Sequence, residues 1–408
     1  MLELLKNVDV FAPEALGVRD VLVAAGKVLA IERGLALPAK LGGVGVRVRD
    51  FAGRRVIPGL IEGHAHVTGG GGEAGFKTRV PPVQPSRFTR AGVTSVVGLL
   101  GTDDCVRSTA ELVAATYALR ECGLGAWCYS GGYHFPPTTL TGSVRRDVAL
   151  IEPILGVGEL ALSDRRSSQP TFDELLRVAS DAYVGGLMSG KAGVTHLHLG
   201  DGPRGLELVR RALDESELPA SIWFPTHVNR RKALFDEACE LTARGVTIDV
   251  TAFPVEDGED AWSAADALAR YLASGRDPAR LTISSDSGGC LPVFDAEGRI
   301  ARMDVGSPAA LAETLRELVE RGLTLEKVLP AFTSNVARVL RLSGRGRIES
   351  GGSADIAVLD ERSRVSDVMC AGLWHVIDGE PIVHGPFEGQ APPTCIEGGG
   401  AAPQQPQP

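Results

Sequence analysis

From residue 60 to residue 342 the sequence repeats one texture: a short apolar run, a polar loop, then a segment with helical periodicity. Strands separated by helices cannot pair as hairpins, so they lie parallel in one sheet with the helices packed over it. Candidate strands follow Pro58 and recur at 94–103, 125–130, 156–163, 194–199, 221–225, 246–250 and 281–285. Eight is the number that closes a (β/α)₈ barrel. Helices are expected at 109–122, 172–185, 205–214, 231–244 and 260–274, with 308–321 and 325–342 closing the structure.

The two chain ends read differently. Alternation of Val46 and Val48 with Arg47 and Arg49 has the period of a half-buried strand, and Ala25-Gly26 reads as a hairpin turn. Beyond Ser343 the runs Gly344 to Asp360 and Asp367 to Glu380 are also strand-rich, with Asp378-Gly379 as a turn. Neither set can bury a face alone. The expected fold is therefore an α/β chain: a TIM-like (β/α)₈ barrel over 58–342, plus a small β-sandwich domain built from both chain ends, 1–57 and 343–388. Residues 389–408 are mostly Pro, Gly, Gln and Ala, a composition expected to stay disordered.

With 51 acidic and 42 basic side chains the net charge is −9, and no basic cluster points to nucleic acid or an anionic membrane. No apolar window is long enough for a membrane span, and the first residues lack the order of a secretory signal. A cytoplasmic location and a small-molecule partner are expected. The seven cysteines are odd in number and without a C-x-x-C pair, as reduced thiols would be.

Residues able to bind metal or carry protons collect at the expected strand ends. His64 and His66, two apart on a strand, project from one face. Tyr133 and His134 follow the third strand, Glu159 lies in the fourth, and His196 and His198 lie in the fifth. His227 follows the sixth and Asp286 the eighth. In a parallel barrel all C-terminal strand ends share one face, where catalytic groups gather. His196 shares a face with His198 and is expected, like His134, to be a structural group or one that orients ligands, not a metal ligand itself. Asp103 and Asp164 read as loop caps, and His375 and His384 as surface residues.

The segment Pro58-Gly59-Leu60-Ile61-Glu62-Gly63-His64-Ala65-His66, with the later histidines at 198 and 227 and the lone Asp286, resembles the amidohydrolase superfamily of metal-dependent hydrolases. More narrowly, the glycine run 69–72 with Glu73, the segment 92–103, Gly131 to His134, Leu140 to Val144, Ser163 to Arg166, Pro225 to Arg230 and Ser284 to Asp286 resemble the isoaspartyl (β-aspartyl) dipeptidases. That resemblance implies two zinc ions, with Co²⁺ or Mn²⁺ suited to the same N/O donors. His64 and His66 would hold one ion and His198 and His227 the other. Asp286 would bind the first and shuttle the proton between a metal-bridging hydroxide and the leaving amine. It further implies that Tyr133 stabilises the oxyanion, that Glu73 binds the substrate α-amino group, and that Arg166 and Arg230 bind carboxylates, with Thr102 as an added contact. A homo-oligomer is also implied.

Two positions depart from that family. Where its members bridge the metals with a carboxylated lysine, this chain has Glu159, which offers the same charge and two oxygens on a shorter arm. Where they have a serine beside a substrate carboxylate, this chain has Cys290, whose thiol is a weaker donor. The expected reaction is hydrolysis of the β-aspartyl amide in isoaspartyl dipeptides. The alternatives are an amidohydrolase for N-acyl-amino acids or cyclic amides, and a relative that binds or assembles without turnover.

Overall fold

Eight short strands carry the barrel: β1 (Leu60–Ala65), β2 (Val93–Gly98), β3 (Gly125–Ser130), β4 (Ile154–Leu162), β5 (Val194–Leu199), β6 (Trp223–Thr226), β7 (Ile248–Thr251) and β8 (Leu281–Ser284). The computed structural model describes residues 2–38, 40–41, 44–294 and 300–389, so the tail from 390 onward, where disorder is expected, lies outside the described residues. Strands β1 to β6 form one parallel sheet in chain order, and β7 pairs parallel with β8. All eight are buried, with only Trp127 on β3 partly exposed, as a sheet with helices outside and side chains inside must be. Leu112, Val148, Leu175, Val209, Phe235 and Leu268 pack the surrounding helices onto them.

No strand ladder joins β6 to β7 among the described residues, and buried side chains take its place. Asp249 on β7 accepts hydrogen bonds from Thr226 Oγ1 on β6 (2.7 Å) and from Thr282 Oγ1 (2.6 Å) and Ser284 Oγ (2.5 Å) on β8. At the other seam a single bridge, Ala65 to Ser287, links β1 to the end of β8. There Glu62 accepts from the backbone N–H groups of His64 (3.0 Å) and Ser285 (3.2 Å) and from the Ser285 hydroxyl.

Apart from one hairpin after β8, the remaining described strands form one ten-stranded sheet in which Arg55–Pro58 pairs antiparallel with Ile356–Leu359, joining the two chain ends. The sheet curls over its own apolar core of Leu5, Val10, Val21, Val56, Ile356 and Met369. Trp374 Nε1 donates to Glu3 across that curl, although several strands separate them in the sheet. Both expected hairpin turns are present, with positive φ at both residues: 50° and 77° at Ala25-Gly26, 52° and 82° at Asp378-Gly379. That is the two-residue turn whose twist matches its strands.

Two expectations are corrected, and one element is added. The helix expected over 325–342 is two helices, Leu325–Phe332 and Ser334–Val339, broken at Thr333 (φ −138°, ψ −91°), whose hydroxyl bonds Leu329 O at 2.7 Å. A hairpin, Cys290–Phe294 with Ile300–Val305, follows β8 in a stretch where the sequence reading names no element; Pro292 argues against a strand in the sequence but is tolerated in this isolated pair. His375, expected at the surface, is buried at 2% exposure against Gly123.

The opening of β1 is tight. A methyl group on Gly59 would lie 2.2 Å from Thr94 Oγ1, and Thr94 is a buried, β-branched residue with no room to turn. Gly59→Ala should destabilise the fold by about 1–3 kcal/mol and lower the melting temperature in differential scanning calorimetry. An unchanged melting point would show that the strand has slack there.

Candidate active site

The C-terminal ends of the strands bring a buried carboxylate among four imidazoles. Glu159 comes from β4, at a register shift between Val157 and Leu160 in its pairing with β5. Its Oε1 lies 3.4 Å from His66 Nε2. Its Oε2 lies 3.2 Å from His198 Nδ1, 3.5 Å from His227 Nε2 and 3.6 Å from His64 Nε2. Asp286 Oδ1 is 3.1 Å from His66 Nε2 and 3.4 Å from His64 Nε2.

These spacings suit metal ions. Donors held about 2.1 Å from a tetrahedral ion lie roughly 3.4 Å from one another. Three groups converge in this way: His64, His66 and Glu159; His64, His227 and Asp286; and Glu159, His198 and His227. Buried atoms that lack any hydrogen-bond partner include His64 Nε2, Glu159 Oε1 and Asp286 Oδ1. A buried polar atom so placed is costly unless something else satisfies it. The donor set therefore fits cations, and the glutamate arm reaches both sides of the centre.

Three imidazoles have their free nitrogen fixed from behind. His196 Nδ1 donates to Phe224 O (2.9 Å), and its Nε2 then accepts from His64 Nδ1 (2.8 Å). That leaves the lone pair of His64 Nε2 facing the centre. His196 can accept because burial holds it well below the usual histidine range and so neutral; it is stacked on Tyr129 and tilted against Phe224. His227 Nδ1 donates to Thr251 Oγ1 (2.7 Å), and burial drives that imidazole down to about 3. His198 Nε2 faces Asp164 Oδ2 (3.0 Å), turning Nδ1 inward. Such outer partners orient ligands and raise their basicity.

Burial alone would raise the Glu159 carboxyl, but His64, His198 and His227 outweigh it and hold it well below the usual range. Asp286 is likewise pulled down against burial by His64 and His66. For His66 burial works downward, yet Asp286 and Glu159 push it up to about 10. Backbone conformation adds to the definition: His227 and Asp286 have φ of 58° and 53°, uncommon for residues other than glycine. Asn229 locks the first of these turns by donating to Thr251 O (3.0 Å) and Trp262 O (2.8 Å) while accepting from Thr251 N (2.8 Å).

Above the centre opens a cleft of about 500 Å³. Glu73, Thr102, Tyr133, Arg166, Arg230 and Cys290 all line it. The Tyr133 hydroxyl is 2.7 Å from His198 Nδ1, and burial keeps that phenol protonated. Arg166 donates through Nη1 to Glu73 (3.2 Å) and through Nε and Nη2 to Asp164 (3.0 and 2.8 Å). Cys290 packs within 3.9 Å of Met303 Sδ; burial, with Glu73 and Asp286, pushes its thiol up to about 12. It joins none of the converging donor groups.

Several contributors do more than the sequence reading gives them, or are not named in it. Asp164 does cap its loop, accepting from Arg166 N at 2.7 Å, but it also joins His198 to Arg166. Asp103 pairs with buried Arg107 (2.6 Å), which donates to Thr68 O and Val80 O and so ties both ends of the glycine loop bearing Glu73. Asp104 similarly holds His134. Thr251, a strand threonine with an apolar neighbour, gives no signal at all in one sequence.

A buried carboxylate among imidazoles at the mouth of such a barrel defines a candidate metal-dependent hydrolase. A sequence model described as the Amidohydrolase family matches residues 228–377. A solved structure of β-aspartyl dipeptidase from Fervidobacterium islandicum AW-1, in complex with β-Asp-Leu, shares 40% identity. It covers 93% of this chain and 98% of that one, with a TM-score of 0.86. A second structure of that enzyme shares 39% identity over the same proportions, with a TM-score of 0.85. This chain belongs to the amidohydrolase family. It is also 42% identical to a dihydroorotase of Endomicrobium trichonymphae over 95 residues, 23% of this chain and 22% of that protein. No described helix is long and apolar enough to cross a membrane.

If Thr251 orients His227, Thr251→Val should weaken metal binding by roughly 10–100-fold while leaving the fold intact. Titration with zinc against a competing chelator measures this, and unchanged affinity would exclude the orienting role.

Proposed function

We propose that this chain hydrolyses the β-aspartyl amide bond of isoaspartyl dipeptides at a centre of two divalent ions, zinc by preference, bridged by Glu159. One observation carries the reading: Glu159 presents Oε1 to His66 and Oε2 to His64, His198 and His227, below a cleft whose walls include the Glu73 carboxylate, paired with Arg166, and the guanidinium group of Arg230. The likeness to an enzyme solved with β-Asp-Leu supports the choice of substrate.

His64, His66 and Asp286 would hold one ion and His198 and His227 the other. Ions bound there would acidify a water molecule and polarise the scissile carbonyl. Asp286, ionised because its histidine neighbours favour the charged form, takes the proton of the attacking water and delivers it to the departing amine. Tyr133 donates its phenolic hydrogen to the oxyanion. Glu73 receives the substrate ammonium group, and Arg166 and Arg230 receive its carboxylates, for which a planar fork is well shaped. Thr102 and Cys290 complete the wall.

Purified protein supplied with zinc should release leucine from β-Asp-Leu and leave α-Asp-Leu largely intact, with chelation abolishing turnover. Glu159→Ala should lose bound metal and drop activity to background together. An alanine variant that keeps both would remove the bridge, and turnover of dihydroorotate without β-Asp-Leu would reassign the substrate.

A further inference from the structure

We infer that Asp104 is a positioning residue for Tyr133: from the loop after β2 it holds the turn after β3, so that the phenol faces His198 and the reacting carbonyl. The inference rests on the function proposed above, in which Tyr133 serves the oxyanion, and adds the group that sets its geometry.

Tyr133 lies beyond the end of β3 at Ser130, where no strand ladder aims its side chain. Its ring does meet the site, tilted against the His198 ring with centroids 4.5 Å apart and with the Arg166 guanidinium 5.4 Å from its centre. Those contacts keep their geometry only if the backbone beneath them is fixed as well. Part of that support is weak: Ala161 N on β4 donates to Tyr133 O at a long 3.4 Å. Further along, Phe135 N donates to Ser168 Oγ at 3.2 Å.

Asp104 supplies a closer hold. It is 3% exposed; its Oδ2 accepts from His134 N at 3.2 Å, and its Oδ1 pairs with His134 Nδ1. On the other side of Tyr133, Gly132 packs onto the same carboxylate, and a methyl group there would lie 2.4 Å from Oδ2. One side chain thus grips the residues before and after Tyr133, with a charged acceptor, which makes the stronger kind of hydrogen bond. Asp104 is not among the residues lining the cleft and joins none of the converging donor groups. Its influence on the reaction therefore passes through the turn.

Its neighbour Asp103 faces a different task, pairing with Arg107, which ties the loop that bears Glu73. Two adjacent aspartates on one loop so hold two walls of the cleft, and the two holds separate kinetically. The oxyanion exists only in the transition state, so loosening Tyr133 lowers kcat; the substrate ammonium is bound before reaction, so loosening Glu73 raises KM.

The test is steady-state kinetics on β-Asp-Leu with the zinc-loaded enzyme, with zinc content and melting temperature measured for every variant. Asp104→Ala should lower kcat by on the order of tenfold, less than the roughly 100- to 1000-fold expected of Tyr133→Phe, with KM and zinc content unchanged. Placed in the Tyr133→Phe background, Asp104→Ala should cost almost nothing more, because both changes act through one hydroxyl. His134→Ala alters a half-exposed side chain, so it carries the test if Asp104→Ala does not fold, and it should give a smaller loss of the same kind. Arg107→Lys should instead raise KM. In zinc-free protein, amide hydrogen exchange over residues 131–136 should quicken in Asp104→Ala. Full kcat in Asp104→Ala, an equal fold-loss with and without the Tyr133 hydroxyl, or an Arg107→Lys variant that lowers kcat in the same way overturns the assignment alone. Wild-type protein that does not turn over β-Asp-Leu overturns the proposed function and this inference with it.

Discussion

Glu159 is a carboxylate withdrawn from water, and much of the barrel mouth answers to that burial. An isolated buried charge carries a penalty of several kcal/mol, so the strand that presents it must end among groups able to compensate. Here four imidazoles face its two oxygens. Those imidazoles help only if the nitrogen facing inward is the right one. That requirement passes outward: His64 depends on His196, which depends on the Phe224 carbonyl, while His227 depends on Thr251 and His198 on Asp164. A centre one carboxylate wide is thus set by residues on β4 to β7.

The same region is where the barrel departs from regular pairing. Register shifts fall between Glu62 and Ala65 in β1 and between Val157 and Leu160 in β4, bracketing His64 and Glu159. Irregularities of this kind re-aim side chains that an ideal ladder would send elsewhere. Backbone hydrogen bonds lost at the seams are replaced by Asp249 and Glu62, both fully buried. Burial raises the Glu62 carboxyl to about 7 despite its donors from Ser285 and His64. The barrel closes through side chains beside the centre, which leaves β1 and β8 free to place His64, His66 and Asp286 against one another.

What the sequence made legible follows from period and chemistry. All eight barrel strands, the joining of both chain ends and two hairpin turns could be read because each has a local signature: apolar runs between helical periods, or a residue pair suited to positive φ. The imidazoles and carboxylates of the centre were legible for a related reason, since strand ends in a parallel barrel share one face. Partners set by long-range packing were not. Nothing local marks Thr251 as an acceptor for His227, Arg107 as the clamp of the loop bearing Glu73, or Asp249 as the bond between β6 and β8. His375 misled because its strand lies under Gly123, a contact between distant segments. The break at Thr333 misled because a helical period continues across it.

Cleft charge divides recognition from chemistry in a way that explains why Cys290 is tolerable. In the proposed reaction the substrate brings one ammonium group and its carboxylates, and the chain meets them with Glu73 and with Arg166 and Arg230. Without substrate, Arg166 and Glu73 satisfy each other at 3.2 Å, so a ligand that lacked either charge would have to separate the pair without replacing it. Neutralisation therefore rests on the guanidinium groups and the carboxylate. The Cys290 thiol, pushed up to about 12 chiefly by burial, stays protonated and adds no charge to that balance. Exchanging a hydroxyl for a thiol there weakens one hydrogen bond but leaves the electrostatic selection of a zwitterionic substrate in place.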